Sequence, residues 1–222
     1  MQIGKDGFFH LSYCTNIHPG ERWDEVFRNL KQYLPTLKLR MSPDRPFGVG
    51  LRLSNAAAND LLEGDVLPGF KDWLDENGLY VYTINGFPHG GFHGRAVKDK
   101  VYEPDWRSAE RVDYTLRLAR ILADLLPEDV DGGISTSPIS YKPWLNARER
   151  REALEHGAIH LALLTAALAQ LRDQTDRLIH VDIEPEPNCL LENMQETVGF
   201  FCNWLLPRGG NVMIVDDLLD HI

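Results

Sequence analysis

The stretch LYVYTINGFPHGGFHGRAVKDKVYEPDWRSAERVDYTLRLARILADLL, Leu79 to Leu126, holds one complete strand–loop–helix unit. Leu79 to Ile84 is rich in aromatic and β-branched residues, which favours a strand. Ser108 is a suitable helix N-cap and Glu110 suits the positive helix end. Val112, Leu116, Ala119, Leu122 and Leu126 then recur at helical spacing and predict one buried stripe. Between strand and helix lies a long polar excursion, Asn85 to Arg107, with six glycines or prolines. Loops of that size in compact proteins tend to be functional.

The same unit repeats on both sides. Upstream, Phe8 to Thr15 reads as a strand, and Trp23, Val26, Phe27, Leu30, Tyr33, Leu34 and Leu37 mark an amphipathic helix ended by Ser42, Pro43, Asp44 and Pro46. Phe47 to Leu53 is a second strand. The helix after it runs from about Ala56 to Glu76, with a break expected near Pro68 and Gly69 and a stop at Asn77-Gly78. Downstream, Gly132 to Ser137 is a fourth strand. Asn146 caps the next helix, Glu149 completes a capping box, and Leu154, Leu161, Leu164, Leu168 and Leu171 continue it. Leu178 to Glu184 is the fifth strand, and Thr197 to Leu206 the fifth helix, stopped by Pro207, Gly209 and Gly210. Asn211 to Ile222 fits either a short strand or a last helical turn.

Five such units in strict order imply parallel strands joined by crossover helices. An open doubly wound sheet and a (β/α)₈ barrel both satisfy that pattern. No GxGxxG follows the first strand, and every strand ends in polar groups that a barrel would gather on one face. The expectation is therefore an α/β fold, a parallel (β/α) barrel of the TIM type, incomplete after about five units, in a single domain spanning residues 1–222.

The formal net charge of −10 argues against a nucleic-acid partner, which would need clustered Lys and Arg. The densest basic stretch, Arg148 to Arg151, is interrupted by Glu149 and followed by Glu152 and Glu155, the pattern of a solvated helix face. Cys14, Cys189 and Cys202 are odd in number and far apart, which points to a reducing, cytoplasmic setting. The first residues lack a signal-peptide core, and the most apolar stretch, Ala158 to Leu171, is too short to span a bilayer, so no membrane insertion is expected.

In a parallel barrel the C-terminal strand ends surround the active site. Here those ends are Tyr13-Cys14-Thr15-Asn16, Arg52 to Ser54, Asn85 to His89, Ser135-Thr136-Ser137 and Glu184 to Asn188. Glu184 closes a β-branched strand and is held extended by Pro185. At the rim of a buried sheet such a carboxylate needs either a partner or a cation, and hard divalent ions take oxygen ligands of this kind. A salt-bridge role is the plainer alternative. Glu186 is the second acidic candidate, on a loop open to water. His89 and His93 in NGFPHGGFHG lack a third zinc ligand nearby and are better taken as substrate contacts, with Tyr13, Asn16 and Asn85. His10, His156, His160 and His180 lie within elements and are expected to be packing residues. No GxSxG supports a serine nucleophile.

The strings LSYCTNIHPGERWDEVFRNLKQYLP, FGVGLRLSNAAA, TINGFPHGGFHG, VYEPDWRSAERVDYTLRLA and DIEPEPNCLLE together resemble the EboE-like metabolite traffic protein family, whose members look like xylose-isomerase-type TIM barrels. The resemblance implies a role in moving or maturing a secondary-metabolite precursor. The wider xylose-isomerase-like superfamily implies a divalent metal (Mn, Mg or Zn) at the C-terminal face. Its first ligand is a Glu closing the fifth strand in an E-P context, which matches Glu184. The other ligands come from later strands, and this chain ends at Asp220-His221-Ile222, about where a sixth strand should begin. Five units in this length extrapolate to roughly 350 residues for eight, within the barrel range, so a C-terminal truncation is expected.

Two functions follow from the resemblance. One is metal-dependent isomerisation or epimerisation of a small polyol-like or glycosylated compound, with Glu184 as the catalytic metal ligand. The other is a non-catalytic carrier that shields a hydrophobic metabolite, for which Tyr13, Phe87, Phe92 and Trp106 near the mouth would serve. An endonuclease of the same superfamily is disfavoured by the acidic charge. The open first and fifth strands are expected to invite self-association.

Overall fold

The structure, a computed structural model, describes residues 1–3, 9–91, 93 and 98–209. Phe92, Phe8 and residues 211–222 fall outside them. Two short strands, β1 (Gln2–Ile3) and β2 (Phe9–His10), pair antiparallel. Then β3 (Ser12–Cys14), β4 (Phe47–Arg52), β5 (Leu79–Asn85), β6 (Gly132–Thr136) and β7 (Ile179–Ile183) form one sheet in the order β3-β4-β5-β6-β7, every neighbouring pair parallel. The helices between them are α1 (Trp23–Met41), α2 (Asn55–Leu61), α3 (Val66–Glu76), α4 (Ala109–Leu125) and α5 (Ala147–Thr175). After β7 comes α6 (Met194–Phe200), which runs through a π turn at Phe201–Leu205 into α7 (Leu206–Gly209).

A strictly sequential order has no point at which the direction of strand addition reverses. Parallel crossovers are right-handed almost without exception, so sequential order places all crossover helices on one face. That face is aliphatic: Val49, Leu51, Val81, Ile84 and Ile134 pack with Leu30, Leu34, Leu118 and Leu122 of α1 and α4 in the main core. The other face carries small and polar residues. A Cβ added to Gly50 would meet Ser12 Oγ and Thr83 Cγ2, and one added to Gly133 would meet His180 and Asp182.

A β-bulge decides what that open face presents. Val49 pairs with Val81 but Gly50 pairs with Thr83, so Tyr82 is an extra residue in β5. Strict alternation from Leu79 and Val81 would turn Asn85 toward the helices. The bulge reverses the phase, burying Ile84 and placing Thr83 and Asn85 on the open face.

Several boundaries differ from expectation, each for a local reason. The expected first strand is split, with Leu11 between β2 and β3 bonded to Met1 instead of to the sheet ladder. The break in the second helix falls at residues 62–65, before Pro68. Ser54 caps α2 through Ala57 N, and Pro68 sits in the first turn of α3, where its missing N–H costs nothing. The α6 segment begins three residues earlier than Thr197, because Asn193 accepts from Glu196 N and caps it.

The caps at Ser108 and Asn146, the capping box of Glu149 and the left-handed Gly78 after α3 are as the sequence indicates. Arg148 pairs with Glu152 on an exposed face of α5, as its charge pattern implies. By length and composition α5 could cross a membrane; in this fold Ala153, Gly157, Ala158, Leu161 and Leu164 are buried along it.

Candidate functional site

The parallel sheet brings its C-terminal strand ends to one edge. There Arg52 pairs in register with Asn85, Asn85 with Ser135, and Ser135 with Asp182. Glu184, one residue beyond β7, shares the open face with Asp182, and its N–H donates to Thr136 O at 3.0 Å. Its side chain is exposed overall, yet its carboxyl pKa is raised. Partial desolvation is the main cause; a hydrogen bond from Ser135 opposes it, and the charges of Glu186 and Asp182 add to it. Asn85 and Glu184 thus flank Ser135 across three adjacent strands. Asn85 is fixed by an Asx turn, its Oδ1 accepting from Phe87 N at 3.0 Å.

His180 and Asp182 stand on the same face of β7, both exposed, with His180 Nδ1 2.9 Å from Asp182 Oδ1. This corrects the expectation that His180 is a packing residue, since alternation along β7 turns it to the face that no element covers among the described residues. His156 is likewise exposed, on the outer face of α5. His160 is a structural group, Nδ1 lying 2.8 Å from Trp106 O, and His10 lies 3.0 Å from Tyr80 OH.

The remaining site candidates fall into separate places. Tyr13 turns toward the helix side, its hydroxyl 3.0 Å from His18 Nε2, and His18 stacks on Tyr33. Burial lowers the His18 pKa, and the charge of His93 lowers it further, so Tyr13 contacts His18 and His93 acts on the same ring through its charge. Asn16 has a buried Oδ1 without a hydrogen-bond partner.

His89 sits against α4, edge-on to Tyr114 at 4.9 Å and 3.6 Å from Glu110 Oε1. Burial first, then Arg111, holds its pKa below the usual histidine value. From sequence alone, His89→Ala would be expected to leave the melting temperature unchanged. With only 15% of its side chain exposed, we instead expect that variant to melt a few degrees lower, checked by circular dichroism.

Two features at this edge escape residue-type reasoning. The first is Arg111, wholly buried in α4. It donates from Nε to Pro104 O (2.7 Å) and from Nη1 to Gly86 O (2.9 Å) and Phe87 O (3.0 Å), tying both ends of the long excursion together. Arg52 does the same for the β3 and β5 loops, donating to Gly20 O and Gly90 O. Both arginine pKa values are lowered by desolvation, that of Arg111 to about 10. The only signal for either was a basic residue inside an apolar helical stripe or at a strand end.

The second is an aromatic cluster formed where the loops after β5, β6 and β7 meet. Tyr102 stacks on Tyr141 at 5.1 Å, with Phe87 and Trp144 around them, and Trp144 Nε1 donates to Asp99 Oδ2 at 2.6 Å. Cys189 is buried beneath, its thiol pKa pushed up to about 11 chiefly by desolvation, which makes it unreactive. Glu186 reaches this cluster, next to Tyr102 and Cys189, so it is less solvated than its loop position implied. Tyr141 and Cys189 form a bridge between the two loops, and Lys142 N donates to Asn188 O.

Among the described residues no three of His, Cys, Asp and Glu converge as a metal cluster. A cavity of about 750 Å³ lies at the opposite edge of the sheet, lined by His10, Arg45, Tyr80 and Val130, away from all these groups. No protein-family model matches the chain, and no curated protein matches it.

Proposed function

We propose that the chain is a segment of a xylose-isomerase-like (β/α) barrel of the EboE metabolite traffic type, and that its C-terminal strand edge handles a small polar metabolite. The observation that carries this reading is where the unsatisfied groups lie. Asn16 Oδ1, His89 Nε2, Arg111 Nη2 and Ser137 Oγ are buried without hydrogen-bond partners, and all four belong to that edge and the loops above it. Native chains satisfy nearly all buried polar atoms, so a concentration of exceptions favours a polar ligand there. The one-sided helix layer and the small, polar open face support the barrel assignment.

The donor set suits a hard divalent ion in part. Glu184 offers an anionic oxygen at the rim, and Glu186 is the second acidic group of the same loop. The rest of a coordination sphere has to come from water or from outside the described residues, so binding by this chain is weak. A bound ion would polarise a carbonyl oxygen of the substrate. Ser135 holds the Glu184 carboxylate in place and Asn85 offers an amide to substrate hydroxyls.

The carrier reading has one observation in its favour, the aromatic cluster of Phe87, Tyr102, Tyr141 and Trp144 at the same edge. Incubating the protein with Mn²⁺ and a panel of aldoses and ketoses in D₂O separates the two. Isomerisation predicts conversion of an aldose to its ketose or the reverse, read by NMR, with deuterium at the carbon next to the carbonyl when the hydrogen passes through solvent and none when it moves as a hydride. Sugar binding without conversion leaves the carrier; the absence of both binding and conversion would contradict the proposal.

A further inference from the structure

We infer that the cavity of about 750 Å³ at the N-terminal edge of the sheet binds a small zwitterion with a flat apolar body, an aromatic α-amino acid being the class that fits. Its volume lies within the range of small-molecule pockets, about 300–1,000 Å³. The walls are the segments that enter β4, β5 and β6, with the hairpin of β1 and β2 beside them. Those three strands are each paired on both sides, and every residue lining the cavity is a described one.

The floor is apolar and already formed. Tyr80 and His10 supply its aromatic part: their rings meet edge to face at 5.7 Å, with His10 Nδ1 3.0 Å from Tyr80 OH. Tyr82 stacks on Tyr80 at 5.8 Å and donates its hydroxyl to His10 O at 2.9 Å, which fixes both rings. Burial holds the His10 pKa below the ordinary histidine value and pushes the Tyr80 phenol up to about 12, so both rings are uncharged at neutral pH. Pro46, Leu79, Pro127 and Val130 extend this surface without adding a polar side chain. Such a wall takes a flat apolar group by edge-to-face and offset contact.

The rim carries one charge of each sign. Arg45 and Asp75 line the same cavity and both are exposed. Among the described residues neither forms an ion pair or a side-chain hydrogen bond. Arg45 offers a fork of N–H donors to a carboxylate, and Asp75 offers an anionic acceptor to an ammonium group. A simple anion satisfies Arg45 and is repelled by Asp75; a simple cation meets the reverse. A zwitterion satisfies both. An α-amino acid carries its two charges at one end and leaves its side chain for the aromatic floor.

Chemical-shift titrations of the whole chain with L-phenylalanine, L-alanine, 3-phenylpropionate and phenethylamine test this. Phenylalanine should bind with a submillimolar Kd and shift the resonances of Arg45, Tyr80 and Val130. The other three, each lacking the ring or one charge, should bind at least about threefold more weakly, the scale of a solvent-open ion pair. Arg45→Gln should weaken phenylalanine and 3-phenylpropionate and leave phenethylamine no weaker; Asp75→Asn should weaken phenylalanine and phenethylamine and leave 3-phenylpropionate no weaker. Should either variant lose the wild-type melt, the four ligands on wild type decide alone. No metal or sugar enters the measurement, so its outcome is separate from that of the reading at the C-terminal edge. No binding of phenylalanine by wild type, equal affinity for alanine, or shifts confined to Asn85 and Ser135 would overturn the inference.

Discussion

Replacing Arg111 with Met will lower the melting temperature by roughly 10 °C and loosen the segment from Asn85 to Trp106. The guanidinium is wholly buried and makes hydrogen bonds to three backbone carbonyls, those of Gly86, Phe87 and Pro104. Among the described residues no carboxylate forms an ion pair with it, so its charge is held mainly by peptide carbonyls, with the Tyr114 ring 5.7 Å away and the more distant charges of Asp105 and Glu110 in support. Desolvation has already pushed its pKa down to about 10. Removing the cation relieves that cost, which works in favour of the variant. Against this, three carbonyls lose their donor in a site closed to water, at about 1–3 kcal/mol each. The loss outweighs the relief, leaving about 3–5 kcal/mol, as for other buried charges removed from their partners. For a chain of this size each kcal/mol is worth roughly 2–4 °C. The companion variant Arg111→Lys keeps the charge but cannot reach three carbonyls at once, and should recover less than half of the loss. Thermal melts followed by circular dichroism, with amide exchange of residues 85–91, measure both effects. A melting temperature within 2 °C of wild type for Arg111→Met would show that the loop is held by its other contacts.

The strands were legible because each is a β-prone run closed by Gly, Pro or Asn, and their order followed from the helix-length connections between them. Leu79–Asn85 shows where such reading stops. Its alternation gives two answers for Asn85, and only the extra residue at Tyr82 turns that side chain to the open face. Nothing in the string LYVYTIN announces a bulge, which depends on the partner strand. A histidine inside a strand reads as packing, but His180 lies on the face of β7 that no element covers among the described residues. His89 and His93 lie four residues apart in one glycine-rich loop, and the sequence offers both as substrate contacts. The structure seats His89 against Tyr114, while His93 acts on His18 through its charge; a loop carries no periodicity that fixes direction. Glu184 stood out because Pro185 and the strand before it constrain its backbone. Its partner Ser135 became visible only through the pairing of β6 with β7.

Glu184 also carries the central claim. Its carboxyl pKa is raised, so in the absence of a ligand the ionised form opposes folding. Stability from this group falls as pH rises from the ordinary carboxylate value through the raised one. Glu184→Gln removes that cost and should melt no lower than wild type at neutral pH. A residue kept ionised against its own stability contribution has the profile of a functional group. Mn²⁺ binding, followed by electron paramagnetic resonance of the free ion, gives the direct measurement. Wild type should bind Mn²⁺ weakly at pH 7.5, and the affinity should fall as pH is lowered, because protons compete for the raised carboxyl. Glu184→Gln should weaken binding at least about tenfold, or about 1.4 kcal/mol, with its melting temperature retained. Equal affinity in wild type and variant, or no Mn²⁺ binding by wild type, would contradict a metal-holding role for Glu184.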